Sequence, residues 1–329
     1  MRYGEKFIYD YYIKMATMCI KLLTRDFEDL IETNLLLDAL SGKYHLYVSD
    51  SICDLLNTDG KIDKYLFDLN GYLVLKNILS QKTLGLMNTA IDHLESLSDQ
   101  ELKFQNISRH YANDNVYAKV GEKTKQGHTD YSCNILNYGE PFENLIDWPV
   151  IMPYLQEMIS APLRIDAASF MSRNTGGGFV FHHGYAELLP YSEYLFDQGT
   201  FRCASIKISY ALSDVGVEDG CFAVIPGSHK SNFQNPLVGQ IPDPKHPLVQ
   251  PLSTQKGDAI LFSEDLSHGA LENRGGKVRR TLFYSYAPAF QASWGETTQV
   301  SPGFETRATP QRIELVNGPP PFEDQVTKL

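Results

Sequence analysis

The stretch FVFHHGYAELLP, residues 179–190, sets His182 and His183 side by side and follows them with Gly184. In an extended strand residues two apart project the same way, so His182 and position 184 are expected to share a face. A non-haem iron centre uses hard nitrogen and oxygen donors on one face of the metal, commonly two histidines and a carboxylate. That arrangement leaves positions open for a chelating cosubstrate and for oxygen. The remaining histidine must return on a neighbouring strand. LFSEDLSHGALENRGGKVRRTLFYSY, residues 261–286, offers His268 just after one strand and Arg279 eleven residues on, in the next. An arginine so placed can take a dicarboxylate in a bidentate fork.

Such donors need a rigid frame, and the chain from about residue 163 onward has the texture of one. Short alternating runs, LRIDAASFMSR, FVFHH, ASIKISYALSDV, CFAVIPGSH, DAILFS and RRTLFYSYAP, are separated by Gly, Pro, Asn and Asp. Strands at this spacing predict an antiparallel sandwich or barrel, with the proline-rich loop from Lys230 to Gln255 beside its mouth. Upstream, YLFDLNGYLVLKNILSQKTLGLMNTAIDHLESL reads as a strand, a Ser80 cap and an amphipathic helix. WPVIMPYLQEMI at 148–159 reads as a short Pro-flanked helix. Three regions follow: a helical extension over 1–60 ending in the turn signal NTDG, a catalytic barrel over 61–290, and a surface-hugging tail over 291–329. The extension has two open roles, covering the mouth or making a dimer contact, and the oligomeric state is left open with it.

Composition narrows the partners. The 329 residues carry a net charge of −11, which offers no attractive field to phosphates and argues against a nucleic-acid polymer. A small molecule remains. Five cysteines, at 19, 53, 133, 203 and 221, form no CxxC pair and predict reduced thiols in a cytoplasmic protein. Near the N-terminus, Lys14 and Lys21 bracket an apolar run about half as long as a membrane span, so a packed helix is expected there in place of a signal or anchor.

The ordered set ISYALSDVGVEDGCFAVIPGSHKSNF, GDAILFSEDLSHGALEN and VRRTLFYSY, with GYLVLKNILS near 71–80, resembles the phytanoyl-CoA dioxygenase family of Fe(II)- and 2-oxoglutarate-dependent oxygenases. The resemblance covers about residues 62–290. It implies a mainly β fold with flanking helices, a double-stranded β-helix of the jelly-roll or cupin-like kind. It further implies His182 and His268 as iron ligands and Arg279 as anchor of the far carboxylate of 2-oxoglutarate. Arg280 competes, because on an alternating strand one of the two points inward; the family offset from the second histidine favours Arg279. An acyl thioester or a specialised metabolite is the implied substrate class.

One departure bears on the chemistry. The family pattern is His-x-Asp, and Gly184 stands where the Asp would be. In the iron halogenases, which this variant resembles, a Gly or Ala there leaves a coordination position that chloride fills. Losing a carboxylate removes one negative charge and opens one site, and a halide restores both. Halogenation is therefore the leading outcome, and hydroxylation the alternative, with water or a carboxylate such as Glu187 or Glu264 completing the site. The simpler expectation for Glu264 is a solvated charge in a turn. His183 is expected to point away from His182, and His229 in PGSHK to be a loop residue shaping the mouth. A literal His-x-Asp at His128–Asp130 precedes the strand run, which would put the first ligand outside the barrel. Gly176–Gly178 lacks the helix and lysine of a phosphate cradle and reads as a turn or lid, and Arg173 and Asn174 before it are open to cosubstrate or substrate. A glycine at 184 is also what a bulge would use, in a barrel that binds a ligand without catalysis.

Overall fold

The computed structural model describes residues 58–104, 109–111, 131–183, 192–291 and 299–318. Its first element is helix α1 (Thr58–Asn70), which begins inside the NTDG motif instead of after it. Thr, Asp and Gly serve helix starts as well as turns, and the apolar residues that follow bury Phe67 completely. The YLFDLN segment is thus helical, not part of a strand. Gly71 (φ +83°) ends the helix, and a Cβ there would lie 2.5 Å from Nδ1 of His229. Strand β1 (Tyr72–Leu75) and helix α2 (Gln81–Ser96) follow, and the hydroxyl of Ser80 caps α2 by accepting from the Thr83 amide at 3.1 Å. Helix α3 is Asp99–Phe104, α4 is Glu140–Glu143, and the Pro-flanked helix predicted around 148–159 is α5 (Met152–Ile159).

The remaining strands are β2 (Arg109–Tyr111), β3 (Tyr131–Asn134), β4 (Leu163–Arg173), β5 (Phe179–His182), β6 (Phe196–Asp197), β7 (Thr200–Phe201), β8 (Ile206–Ala211), β9 (Phe222–Val224), β10 (Gln250–Leu252), β11 (Ala259–Ser263), β12 (His268–Ala270) and β13 (Arg279–Pro288). A seven-stranded sheet runs β1-β11-β8-β13-β4-β3-β2 and a four-stranded one β10-β9-β12-β5, all pairs antiparallel. From β4 to β13 the chain passes back and forth between these two sheets, the wrap of a double-stranded β-helix. β6 and β7 form a separate ribbon.

Alternation along the large sheet sorts its side chains. Ile206, Ile208 and Tyr210 of β8, with Leu282, Tyr284 and Tyr286 of β13, join a core with Leu84, Met87, Ile91 and Leu94 of α2. That is the helix-covered outer face. On the inner face Phe262 and Ile260 of β11 meet Phe222 and Val224 of the small sheet, with Phe283 packed alongside. The described part of the C-terminal region is more than a surface tail. Helices α6 (Phe304–Arg307) and α7 (Pro310–Asn317) bury Phe304 and Leu315 in the main core, and Arg312 pairs with the buried Asp147 at 2.8 Å.

Arg280 belongs to the outer face. Its guanidinium reaches back to α2, donating to Asn88 at 3.2 Å, pairing with Asp92 at 2.7 Å and binding Glu95. Replacing Arg280 with alanine is expected to cost about 1–2 kcal/mol of unfolding free energy in a urea titration, the worth of a half-shielded ionic cluster. Dicarboxylate affinity should be unchanged in the same variant.

Candidate active site

Strands β5 and β12 pair antiparallel with His182 directly opposite His268, and the two ring centroids lie 4.0 Å apart. Gly269 makes this approach possible, since a Cβ there would come within 2.6 Å of the Phe179 carbonyl oxygen. Nδ1 of His182 faces the Val180 carbonyl at 3.1 Å, and Nδ1 of His268 faces the Leu266 carbonyl at 2.7 Å. A carbonyl only accepts, so each Nδ1 carries the hydrogen and each Nε2 keeps its lone pair, the form in which imidazole binds a metal. Burial favours the uncharged ring. It lowers the pKa of His182 to about 3, helped by the neighbouring His183, and holds His268 well below the ordinary histidine range. Phe222 and Phe262 wall His268 in, with ring centroids at 5.5 and 4.8 Å.

His183 does not point away from this pair. It has φ +59°, because the chain leaves the strand at His182, and its ring stacks on His268 at 5.6 Å with 7° between the planes. Its Nε2 lies 2.9 Å from Oε1 of Glu264, which also accepts from Lys207 Nζ at 2.7 Å. Glu264 is therefore a buried partner of two basic groups, not a solvated turn charge. Burial alone would raise its pKa, but Lys207 and His183 hold it well below the usual carboxylate range. Lys207 was not singled out from sequence. The signal was there, in a lysine at an inward position of the apolar strand IKISYA.

The PGSH segment is a buttress and not a mouth loop. His229 is 2 % exposed, and its Nε2 meets the Asp68 carbonyl at 3.0 Å. Ser228 Oγ accepts from the Ser267 amide at 2.8 Å, next to His268 in the chain. Asn273, fully buried, donates to the Lys277 carbonyl at 2.7 Å and so shapes the turn into β13.

Arg279 lies on the inner face, 6 % exposed, donating from Nη1 to the Gly220 carbonyl at 2.8 Å and from Nε to Thr281 Oγ1 at 3.1 Å. Its cross-strand partner is Arg173, 4 % exposed, whose guanidinium carbon sits 5.7 Å from the centroid of Phe179. Phe179 in turn meets His182 edge-on at 4.9 Å. Gly184, Glu187, His128 and Asp130 lie outside the described residues.

This donor set fits part of an iron centre. It has two opposed neutral imidazoles with free Nε2 atoms, and an inward arginine in the same barrel. Among the described residues no three His, Cys, Asp or Glu side chains converge closely enough to hold an ion by themselves. Glu264 accordingly does not complete the pair as it stands, although its buried Oε2 has no hydrogen-bond partner.

Residues 67–281 match the model of the family described as phytanoyl-CoA dioxygenase (PhyH). The chain belongs to the PhyH family. Its relatives include two fungal proteins. Dioxygenase olcK of Penicillium canescens is 22% identical over 244 residues, 73% of this chain and 70% of that one. Dioxygenase andF of Emericella variicolor is 25% identical over 232 residues, 66% and 70% of the two chains. Among solved structures, HygX from Streptomyces hygroscopicus, with nickel and 2-oxoglutarate bound, superposes with a TM-score of 0.57 at 20% identity. The match covers 76% of this chain and 94% of HygX. The fold is thus that of the cupin-like oxygenases, as the family resemblance implied, and the strand pattern's expectation of an antiparallel sandwich or barrel holds with it. No described helix is long and apolar enough to cross a membrane, and Cys203 and Cys221 are buried free thiols.

The buttress under the site has a pH signature. Burial lowers the pKa of His229 to about 4, against an ordinary value near 6.5. Between these values the unfolded chain takes up the proton first, so the stabilisation is complete above about pH 6.5 and is lost as pH falls toward 4. Urea unfolding at pH 7 and pH 5 should show H229N losing about 2 kcal/mol less than wild type over that interval.

Proposed function

We propose that this PhyH-family chain is an Fe(II)- and 2-oxoglutarate-dependent oxidoreductase that acts on an unactivated C–H bond of a small metabolite. His182 and His268 are its protein iron ligands and Arg279 binds the cosubstrate. The observation that carries the reading is the opposed histidine pair, each ring held by the carbonyl two residues before it so that Nε2 is the donor. Iron with 2-oxoglutarate supplies oxygen activation through oxidative decarboxylation of the cosubstrate to succinate. The chain's residues do the rest. Val180 and Leu266 orient the imidazoles, Phe222 and Phe262 exclude water behind His268, and Arg279 presents a fork for the far carboxylate. HygX, of the same fold, has been solved with iron bound and with hygromycin B beside nickel and 2-oxoglutarate, which supports a small-molecule substrate here.

With Gly184 in the carboxylate position, chlorination is the outcome we favour: the glycine offers no donor, and no third described side chain supplies one. The alternative is hydroxylation. Its support is the buried Oε2 of Glu264, an anionic oxygen with no hydrogen-bond partner on the residue whose Oε1 holds His183 beside the histidine pair. Anaerobic titration with Fe(II) and 2-oxoglutarate tests both readings, with the visible charge-transfer band followed with and without chloride. The band should form, and chloride should shift it or tighten cosubstrate binding. Introducing a carboxylate with G184D should abolish that chloride effect. A band indifferent to chloride in wild type favours hydroxylation, and absence of any band sinks the oxygenase reading.

A further inference from the structure

His182 and His268 lie on the small sheet, and a line of polar contacts ties them to the large one. It starts at Lys207 of β8, whose cross-strand neighbour is Phe262 of β11. Lys207 Nζ donates to Oε1 of Glu264 at 2.7 Å, and the same oxygen lies 2.9 Å from Nε2 of His183. His183 then packs on both paired histidines. Its ring centroid is 4.9 Å from that of His182 and 5.6 Å from that of His268, with 7° between the last two planes. The backbone is tied in as well. Glu264 donates its amide to the Ser205 carbonyl at 3.1 Å, and the buried Ser267 hydroxyl donates to the His183 carbonyl at 2.8 Å.

Stability does not account for this line of contacts. A buried ion pair is often no more stabilising than apolar side chains of the same volume, and a left-handed backbone is costly for a residue with a Cβ. Both costs fall at one place, since Glu264 is buried and His183 has φ +59°. Strain of this kind collects where a site needs its geometry fixed. His268 has one local tether, from Nδ1 to the Leu266 carbonyl, and that contact does not by itself fix the tilt of the ring. A flat neighbour does. His183 is the ring most nearly parallel to it, whereas Phe222 lies at 28° and Phe262 at 61°.

We infer that Glu264 is a positioning residue of the metal site: held by Lys207, it fixes His183 against His268 and so sets the direction in which Nε2 of His268 meets the metal. The inference rests on the proposed reading of His182 and His268 as ligands. Partners that orient a ligand in this way commonly change metal affinity about 10–100-fold.

Purified full-length protein is titrated calorimetrically with Ni(II), and Co(II)-loaded samples are read for their visible ligand-field bands. K207M/E264L replaces the ion pair with apolar side chains, leaves neither charge alone and releases His183. Its Ni(II) affinity should fall at least about tenfold, and its Co(II) bands should shift. K207M/E264Q also removes both charges but keeps an oxygen that accepts from His183, so it should restore the wild-type bands and most of the affinity. Asparagine suits a left-handed backbone and has no ring to stack. H183N should therefore lose as much as K207M/E264L, and the combined variant should lose no more than either, as for residues acting through one contact. Affinity and bands unchanged in K207M/E264L and H183N overturn the inference. A loss in K207M/E264Q as large as in K207M/E264L overturns it too, because Glu264 would then act as a charge or as a ligand itself. Should K207M/E264L fail to fold, H183N carries the test, and wild-type Ni(II) binding in that variant overturns the inference equally. A wild-type protein that takes up no Ni(II) defeats the ligand assignment and the positioning role with it, an outcome distinct from wild-type binding that the variants leave unchanged.

Discussion

Everything at the site depends on the obligatory alternation of side chains along paired strands. In β13 it sends Arg279 into the barrel and Arg280 to the helix layer, although the two are adjacent in sequence and identical in chemistry. Neither can change sides without a one-residue slip, which would drive Tyr284 and Tyr286 out of the main core. The buried tyrosines resist that slip directly, since their hydroxyls donate to the carbonyls of Phe142 at 2.7 Å and Ile146 at 2.9 Å. The inward Arg279 is thus held in register by hydrophobic packing on the opposite face of its sheet.

The interior this creates is hostile to charge, and the chain answers with local compensation. Lys207 faces inward because it lies between Ile206 and Ile208, which face out. Glu264 meets it, and His183 closes the group. This ionic cluster lies against the histidine pair, so one face of His268 is stacked on His183 while Phe222 and Phe262 pack around it. Removing one partner of such a buried cluster leaves the other charged and unpaired, which typically costs about 3–5 kcal/mol. The cluster therefore contributes rigidity to the paired histidines through packing as much as through charge.

The fold was largely legible in the sequence, because alternation and turn chemistry are local signals. β4 and β13 span the runs LRIDAASFMSR and RRTLFYSYAP residue for residue. The Ser80 cap and the Pro-flanked helix were equally visible. What was not legible required contacts distant in sequence. NTDG carries residues that suit both turns and helix starts, and the burial of Phe67 decides for helix. His229 and Glu264 both carry polar side chains in segments rich in turn residues, and only their long-range partners, Asp68 in one case and Lys207 in the other, draw them inside. The pairing of Arg173 with Arg279 depends on the register of two strands that are neighbours in the sheet but distant in sequence, which no local pattern contains.

His183 shows where the strand rule stops. The argument that His182 and position 184 share a face holds only while the chain stays extended, and β5 ends at His182. At His183 the backbone turns left-handed, a conformation costly for a residue with a Cβ, and the strain is offset by its bond to Glu264 and by the Ser267 hydroxyl donating to its carbonyl at 2.8 Å. His183 thus leaves the strand and stays packed beside both His182 and His268, with ring centroids 4.9 and 5.6 Å away, where extended geometry would have turned it to the opposite face.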